Sequence, residues 1–197
     1  MGLRPMKPRD MNLSLSDYAL EETAGIVTPA LLIYPDLVDS NIRTTLAMVE
    51  NDPERWRPHI KTAKLAAVVA QMMGQGIRNF KCATTLELLT ACQASASDVL
   101  LALAVSGANA RRVVALAEEF PQTRISVLVE SDAQIAVWRG TRVGVFIDVN
   151  SGMNRTGVYD RRRADVIHLA REVGSAFRGP HWYDGHVSNP SAAEREK

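Results

Sequence analysis

The stretch Arg57-Pro58-His59-Ile60-Lys61-Thr62-Ala63-Lys64 decides how the rest of the chain is interpreted. Pro58 biases the residue before it toward an extended conformation. His59 and Lys61 are two residues apart, so on a strand they project to the same face. The residues that follow carry apolar side chains at helical spacing. The segment therefore predicts a strand over Arg57–Lys61 with Lys61 at its carboxyl end, where α/β folds place their chemistry.

A lysine in this position is compatible with two roles. If its amine is desolvated and partly neutral, it can form a Schiff base with a carbonyl compound. A surface lysine that follows a strand has the same spacing, so this segment alone leaves the choice open. The rest of the chain has to decide between them.

The composition argues against several classes of function. A chain of 197 residues, 46% of them hydrophobic, predicts one domain with a real core. The net charge of +1 argues against nucleic acid as the main partner. The longest apolar run, Val99–Val105, is too short to span a bilayer, and no apolar stretch follows the basic N-terminus as in a secretory signal. Cys82 and Cys92 fit a reducing, cytoplasmic location.

One unit, a short strand followed by an amphipathic helix, repeats along most of the chain. Residues 1–26 predict an N-terminal arm with a short helix near Leu15–Thr23, and residues 27–197 predict the domain. The predicted strands are Ala30–Tyr34, Arg57–Lys61, Asn79–Ala83, Asp98–Leu103, Arg124–Val129, Val143–Asn150 and His181–Val187. The predicted helices are Pro35–Glu50, Ala63–Met73, Ala110–Phe120 and Arg162–Val173, with further helices starting at Thr85, Ser131 and Ser191.

Strict alternation of strands and helices predicts an α/β fold with a parallel sheet. A doubly wound sheet is one option, but no G-x-G-x-x-G follows the first strand. The other option is a (β/α) barrel of the TIM type, of which the chain holds about six of eight units. Two helix starts carry the capping-box pattern, Thr84 with Glu87 and Ser131 with Gln134.

Polar side chains concentrate at four of the predicted strand ends. They are His59 with Lys61, Lys81-Cys82-Ala83-Thr84, the segment from Asp148 to Gly157, and Tyr183-Asp184-Gly185-His186. In a barrel these ends converge on one face. An amine, a guanidinium, a phenol and an imidazole around one mouth suit a negatively charged aromatic cofactor whose aldehyde is held by the lysine.

These four motifs, in this order and in matching units, resemble the alanine-racemase-type barrel of pyridoxal-phosphate enzymes. Within that group they are most similar to the D-threonine aldolase and D-serine dehydratase branch. The resemblance covers the chain from about Thr28 onward. It implies an incomplete (β/α) barrel of the alanine racemase N-terminal type. It also implies that the last strands, with their phosphate-gripping loop, and a C-terminal β-domain lie outside this chain.

The resemblance also implies roles for individual residues. Lys61 matches the lysine that holds the cofactor's aldehyde, and His59 matches a histidine beside it. Arg155 matches the arginine that reaches toward the cofactor's phenolic oxygen. Tyr183 and His186 match polar groups on the cofactor-binding wall. The sequence departs from the family at Ala63, where the family usually has a histidine.

The function implied by the resemblance is a pyridoxal-phosphate-dependent lyase of D-amino acid metabolism, an aldolase that cleaves D-threonine to glycine and acetaldehyde. The alternatives are a D-serine dehydratase, an amino-acid racemase, a non-catalytic cofactor-binding protein, and an inactive fragment. The expected partners are a small D-amino acid and a second copy of the chain in a homodimer, with neither nucleic acid nor membrane. A divalent metal is implied too, with ligands outside this chain.

Overall fold

The computed structural model describes residues 18–188 and residue 191, in two compact units that meet in sequence at Tyr34 and Pro35. In the first unit, the Tyr34 hydroxyl donates a hydrogen bond to the carbonyl of Tyr18 at 2.9 Å, and the two rings meet edge to face. No α-helix forms between Tyr18 and Thr23, and the rest of the predicted Leu15–Thr23 helix lies outside the described residues. The division into an arm over 1–26 and a cofactor domain over 27–197 stays a prediction.

The predicted strand Ala30–Tyr34 is wrong. These residues are not in a strand, and Leu31 is 74% exposed. A strand depends on hydrogen bonds to a neighbour, and none of the described strands pairs with this segment. An apolar run of five residues therefore has the composition of a strand, but composition alone does not show whether a neighbouring strand is available to pair with it.

The second unit is an open sheet of parallel strands covered by helices. The strands are β1 (Asn79–Cys82), β2 (Asp98–Leu101), β3 (Arg124–Val129), β4 (Gly144–Asn150), β5 (Val158–Tyr159) and β6 (Phe177–Trp182). The helices are α1 (Pro35–Met48), α2 (Ala66–Gly74), α3 (Thr85–Gln93), α4 (Gly107–Glu119), α5 (Asp132–Trp138) and α6 (Arg163–Val173). The strands run in the order β1-β2-β3-β4-β6, with β5 beside the end of β4. The parallel α/β architecture is confirmed.

The two faces of the sheet differ in chemistry. One face packs against the helices through an apolar core that includes Phe80, Val99, Val127 and Ile147, none of them measurably exposed. Alternate residues point the other way, and on β4 that opposite face carries Asp148 and other polar residues. We call this second face the inner face. The side of the sheet without helices is therefore the side with polar chemistry.

The predicted capping box at Thr84 forms, whereas at Ser131 only the Gln134 side chain makes a bond and the Ser131 hydroxyl makes no capping hydrogen bond. The Thr84 hydroxyl accepts the N–H of Glu87 at 3.2 Å, and the Glu87 carboxylate accepts the N–H of Ala83 at 2.7 Å. The Gln134 side chain likewise accepts the N–H of Glu130 at 2.6 Å. In both cases the side chain reaches the residue before the N-cap rather than the N-cap itself. These contacts fix the loops that follow β1 and β3.

The predicted strand Arg57–Lys61 reduces to an isolated parallel bridge between His59 and Lys81. The N–H of Ile60 donates to the carbonyl of Lys81, and the N–H of Lys81 donates to the carbonyl of Pro58. Pro58 has no N–H to extend this ladder, and a turn begins at Ile60. The segment is extended and lies alongside β1, but it is too short to count as a strand.

The last predicted strand is displaced. The strand is Phe177–Trp182, so His181–Val187 overlaps it by two residues and then enters a turn closed by the N–H of Val187 and the carbonyl of Asp184. The predicted strand began just after Pro180, because a proline usually marks a strand boundary. Proline is tolerated on an edge strand, however, and Pro180 lies within β6. The short strand β5 falls in a segment that was predicted to be a loop. The helix predicted to start at Ser191 lies almost wholly outside the described residues.

Over the described part of the chain, none of the helices is both long and apolar enough to cross a membrane.

Candidate active site

Lys61 lies in the turn that follows the extended segment beside β1. The turn spans Ile60 to Ala63 and is closed by the N–H of Lys64, which donates to the carbonyl of Ile60 at 2.8 Å. Lys61 is exposed. Within the described residues, its amine has no hydrogen-bond or ion-pair partner. The turn therefore presents a primary amine that is free to meet a ligand.

His59 lies next to that amine and is held in one tautomer. The backbone N–H of Lys61 donates to His59 Nδ1 at 3.3 Å, so Nδ1 is an acceptor and Nε2 carries the proton of the neutral ring. Burial lowers the pKa of His59, and the positive charge of Lys61 lowers it further, although Glu87 opposes the shift. His59 is therefore neutral at pH 7 and does not add a second charge beside Lys61.

A hydrogen-bonded chain crosses the inner face between β1, β6 and β4. Lys81 Nζ lies 3.0 Å from His181 Nε2, and His181 Nδ1 lies 2.8 Å from Asp148 Oδ1. The hydroxyl of Thr156 donates to the other carboxylate oxygen of Asp148 at 2.8 Å. We call Lys81, His181 and Asp148 the inner-face chain. It joins an amine, an imidazole and a carboxylate in series.

The charges of the inner-face chain follow from its surroundings. Burial alone would raise the pKa of Asp148, but hydrogen bonds from His181 and Thr156 outweigh it, and the pKa is lowered. Because Asp148 is ionised it can only accept, so His181 Nδ1 donates and Nε2 is left as an acceptor for Lys81. Burial lowers the pKa of Lys81, as does Arg57, while Asp148 raises it.

A second group of predicted residues lies in the loops after β4 and β6. The Arg155 guanidinium stacks on the ring of Tyr183, 4.6 Å from its centroid. The Ser151 hydroxyl donates to the carbonyl of Tyr183 at 3.4 Å, which links the two loops. His186 lies close to Gly152: a Cβ added to that glycine would be 3.3 Å from His186 Nε2. Arg155, Tyr183 and His186 are thus brought together.

The loop after β4 is folded by its own polar residues. Asn150 Oδ1 accepts the N–H groups of Gly152 and Asn154, both at 3.0 Å. Gly157 has a φ of +100°, and a Cβ there would lie 2.7 Å from the backbone nitrogen of Asn150. Its N–H donates to the carboxylate of Glu130, in the loop after β3. A glycine is therefore required where the loop turns back against β4.

The predicted site residues form two groups rather than one. Among the described residues, no hydrogen bond or ion pair joins the His59–Lys61 turn directly to Arg155, Tyr183 or His186. The inner-face chain lies between the groups: Lys81 pairs with His59 across the bridge, and Asp148 feels the charge of Arg155.

The importance of His181 was not predicted from the sequence, which placed it only as the first residue of the predicted strand His181–Val187. It is 7% exposed and has a polar partner on each ring nitrogen. No local signal marked it, because Lys81 and Asp148 lie in the polar motifs of other predicted strands. Their contact with His181 needed the register of β4 and β6, which pairs Asp148 with His181.

In the part of the chain that the structure describes, no three His, Cys, Asp or Glu side chains form a group that could hold a metal ion.

Comparisons with known proteins agree on one family. The profile of the family described as "Alanine racemase, N-terminal domain" matches residues 33–181. A D-threonine aldolase from Arthrobacter sp. is 26% identical over 176 residues, covering 84% of this chain and 45% of the relative. The chain thus spans less than half the length of this relative.

Solved structures show the same fold. The crystal structure of D-threonine aldolase from Filomicrobium marinum matches with a TM-score of 0.73 and 26% identity, covering 87% of this chain and 48% of that one. An alanine racemase-like protein from Idiomarina loihiensis matches with a TM-score of 0.67 and 22% identity, covering 76% and 41%. These matches confirm that the open parallel sheet corresponds to part of a barrel of the predicted type.

Proposed function

Because this chain belongs to the alanine racemase N-terminal domain family, we propose that it is the barrel portion of a pyridoxal-phosphate-dependent lyase. The proposed reaction is cleavage of D-3-hydroxy amino acids, with D-threonine giving glycine and acetaldehyde. In that reaction the hydroxyl hydrogen leaves its oxygen, the Cα–Cβ bond breaks and Cα takes up a proton. The D-threonine aldolases at 26% identity support this choice of reaction.

The observation that carries the proposal is the state of Lys61. Its amine is exposed and unpartnered among the described residues, and it lies beside an imidazole that stays neutral. An amine that must bond to an aldehyde carbon needs an unobstructed approach. Lys61 is the proposed nucleophile, and His59, with its proton on Nε2, is the proposed hydrogen-bond donor beside it.

The chemistry of the side chains fits pyridoxal phosphate. Lys61 would bond to its aldehyde, Arg155 would face its phenolic oxygen, and Tyr183 and His186 would form part of the wall. Two glycines keep that wall open: Gly152 leaves room before His186, and a Cβ at Gly185 would overlap the ring of Tyr183. The cofactor, when bound, supplies the electron sink for breaking bonds at Cα.

The chain's own groups then have defined tasks. Arg155 is kept in place by stacking on Tyr183, so its charge is oriented toward an anionic ligand. His59 holds its proton on Nε2, because Nδ1 accepts from the backbone of Lys61. These groups position the ligand and manage one proton, which is most of what a protein contributes to this class of reaction.

The direct test is to incubate the full-length protein with pyridoxal phosphate, a divalent metal salt and D-threonine, and to measure glycine and acetaldehyde. We expect both products, and we expect Lys61→Ala to abolish them. Lys64→Arg is the matched control: it removes the other primary amine at this turn, keeps the cation that lies 3.8 Å from the buried Glu87 carboxylate, and should keep activity. If neither product forms and D-serine yields no pyruvate, the lyase proposal fails.

A second candidate is a cofactor-binding protein without turnover. Its support is Ala63, which stands where the family resembled by the four motifs usually has a histidine. This candidate predicts an absorbance band from the lysine-bound cofactor that is lost in Lys61→Ala, with no product from any amino acid. The same samples therefore separate the two candidates.

Three further expectations belong to this proposal. The protein is cytoplasmic, it forms a homodimer, and its divalent metal is bound by residues outside this chain. Sedimentation of the full-length protein tests the dimer, and chelation followed by metal add-back tests the metal.

A further inference from the structure

Lys81 is a second amine with a different environment from Lys61. It is half-buried on the inner face, where it lies 3.0 Å from His181 Nε2. His181 in turn is fixed by Asp148 at 2.8 Å, and both are at least 93% buried. A nucleophile, a base within hydrogen-bond reach and a third group that orients the base are the parts from which activated nucleophiles are built.

The tautomer of His181 gives this arrangement a direction. Asp148 is ionised and accepts from Nδ1, which leaves the Nε2 lone pair facing Lys81. When Lys81 gives up a proton, Nε2 can take it, and the resulting imidazolium is stabilised by the Asp148 carboxylate. The neutral amine that remains is the nucleophilic form of lysine.

We propose that Lys81 is a carbonyl-reactive amine that forms a reversible Schiff base with small aliphatic aldehydes. The Lys81 nitrogen attacks the carbonyl carbon, and the carbonyl oxygen takes up a proton to give a carbinolamine. The carbon–oxygen bond then breaks, water leaves, and a carbon–nitrogen double bond forms between the aldehyde carbon and Nζ. His181 accepts the proton that Lys81 releases and returns it to the departing oxygen.

The surroundings of Lys81 favour the neutral form of its amine more than those of an exposed lysine do. Arg57, from the segment beside β1, repels the ammonium form, and burial disfavours it as well. His59, paired across the bridge, is neutral. Asp148 on β4 favours the ammonium form, but His181 lies between them and hydrogen-bonds to both.

The neighbouring apolar residue sets the class of ligand. Leu100 is in register with Lys81 on β2 and is apolar and buried, so that position offers no charge to a ligand. The nearby cation of Arg57 is already engaged by Asp98 and the carbonyl of Phe80, so a small uncharged carbonyl compound suits this amine better than a phosphorylated one. This proposal is independent of the proposed function, because it needs no cofactor.

The test is site-resolved reductive alkylation of the cofactor-free chain with limiting acetaldehyde and cyanoborohydride, followed by peptide mass mapping. At pH 7 we expect Lys81 to be alkylated faster than Lys61 and Lys64, because His181 lies within hydrogen-bond reach of its amine and can take the proton.

Two variants distinguish a reactive Lys81 amine from one that only makes a structural hydrogen bond to His181. His181→Gln can still hydrogen-bond Lys81 but cannot take its proton, so it should reduce the Lys81 rate to the level of Lys61 or below. His168→Gln, which removes the imidazole of the exposed pair with Asp132, is the matched control and should leave the Lys81 rate unchanged. Circular dichroism confirms that each variant folds. If wild-type Lys81 is alkylated no faster than Lys61 at any pH, the proposal is wrong even if a variant fails to fold.

Discussion

The turn at Lys61 and the inner-face chain at Lys81 present two amines in opposite ways. Lys61 is exposed and unpartnered within the described residues, and backbone geometry alone determines its position. Lys81 is half-buried, and two further side chains govern its proton. The comparison teaches that availability and activation are separate properties. Among the described residues, no side-chain base is hydrogen-bonded to the Lys61 amine, whereas the Lys81 amine has His181 within hydrogen-bond reach.

The largest expected effect concerns the exposed amine. Lys61→Ala should lower the rate of glycine formation from D-threonine by about 1,000-fold or more, as loss of a covalent nucleophile does. Lys81→Met should lower it far less, because Lys81 has no assigned contact with the cofactor. Steady-state assays of the two variants at saturating cofactor measure the difference. Equal losses would erase the distinction between the two amines.

The next effect tests the inner-face chain as a structural element. Asp148→Ala leaves the buried N–H of His181 and the hydroxyl of Thr156 without their acceptor and should cost about 3 kcal/mol of unfolding free energy. Asp132→Ala is the matched control, because Asp132 makes a similar pair with His168 at 3.0 Å on the surface. That pair should be worth about 1 kcal/mol or less. Urea titrations of both variants give the two free energies.

A third effect concerns the loop that carries Arg155. Gly157→Ala places a Cβ against the backbone of Asn150 and should destabilise the protein by about 3 kcal/mol. Gly140 also has a positive φ, +74°, but a Cβ there meets nothing within 4 Å. Gly140→Ala should therefore cost about 1 kcal/mol, the conformational part alone. If the two variants were equally stable, close packing at Gly157 would be ruled out as the cause.

The smallest effect is a dependence of stability on pH. The pKa of His59 is lowered in the folded state, so the unfolded chain binds the extra proton first and stability falls as pH drops below the ordinary value of 6.5. The pKa of Asp148 is also lowered, so its contribution is present above 3.8 and is lost as pH falls further. His59→Gln should flatten the decline between pH 7 and 5 in urea titrations; an unchanged slope would contradict this assignment.

The sequence predicts most of this fold because local signals and tertiary structure agree there. Helix stripes, the Thr84–Glu87 cap and the strand Arg124–Val129 all form as expected. The strand predictions fail where strand formation depends on hydrogen bonds to a neighbouring strand. Residues Ala30–Tyr34 have strand composition but no partner strand among those described, and Arg57–Lys61 is cut short by a proline and a turn.

The site was predictable as a set of residues but not as a network. The motifs identify Lys61, Arg155 and Tyr183, and the last two do stack. The link from Lys81 to His181 joins residues 100 positions apart, and it depends on the two side chains meeting across the inner face. No local pattern encodes that distance. The role of His181 therefore depends on the pairing of β6 with β4, which places His181 beside Asp148.

The most direct test of the account is borohydride reduction of the protein mixed with pyridoxal phosphate, followed by peptide mass mapping. We expect a phosphopyridoxyl mark on Lys61 that is retained in Lys81→Met and absent from Lys61→Ala. A mark on Lys81 or on any other residue in the wild-type protein would contradict the assignment of Lys61 as the amine that holds the cofactor.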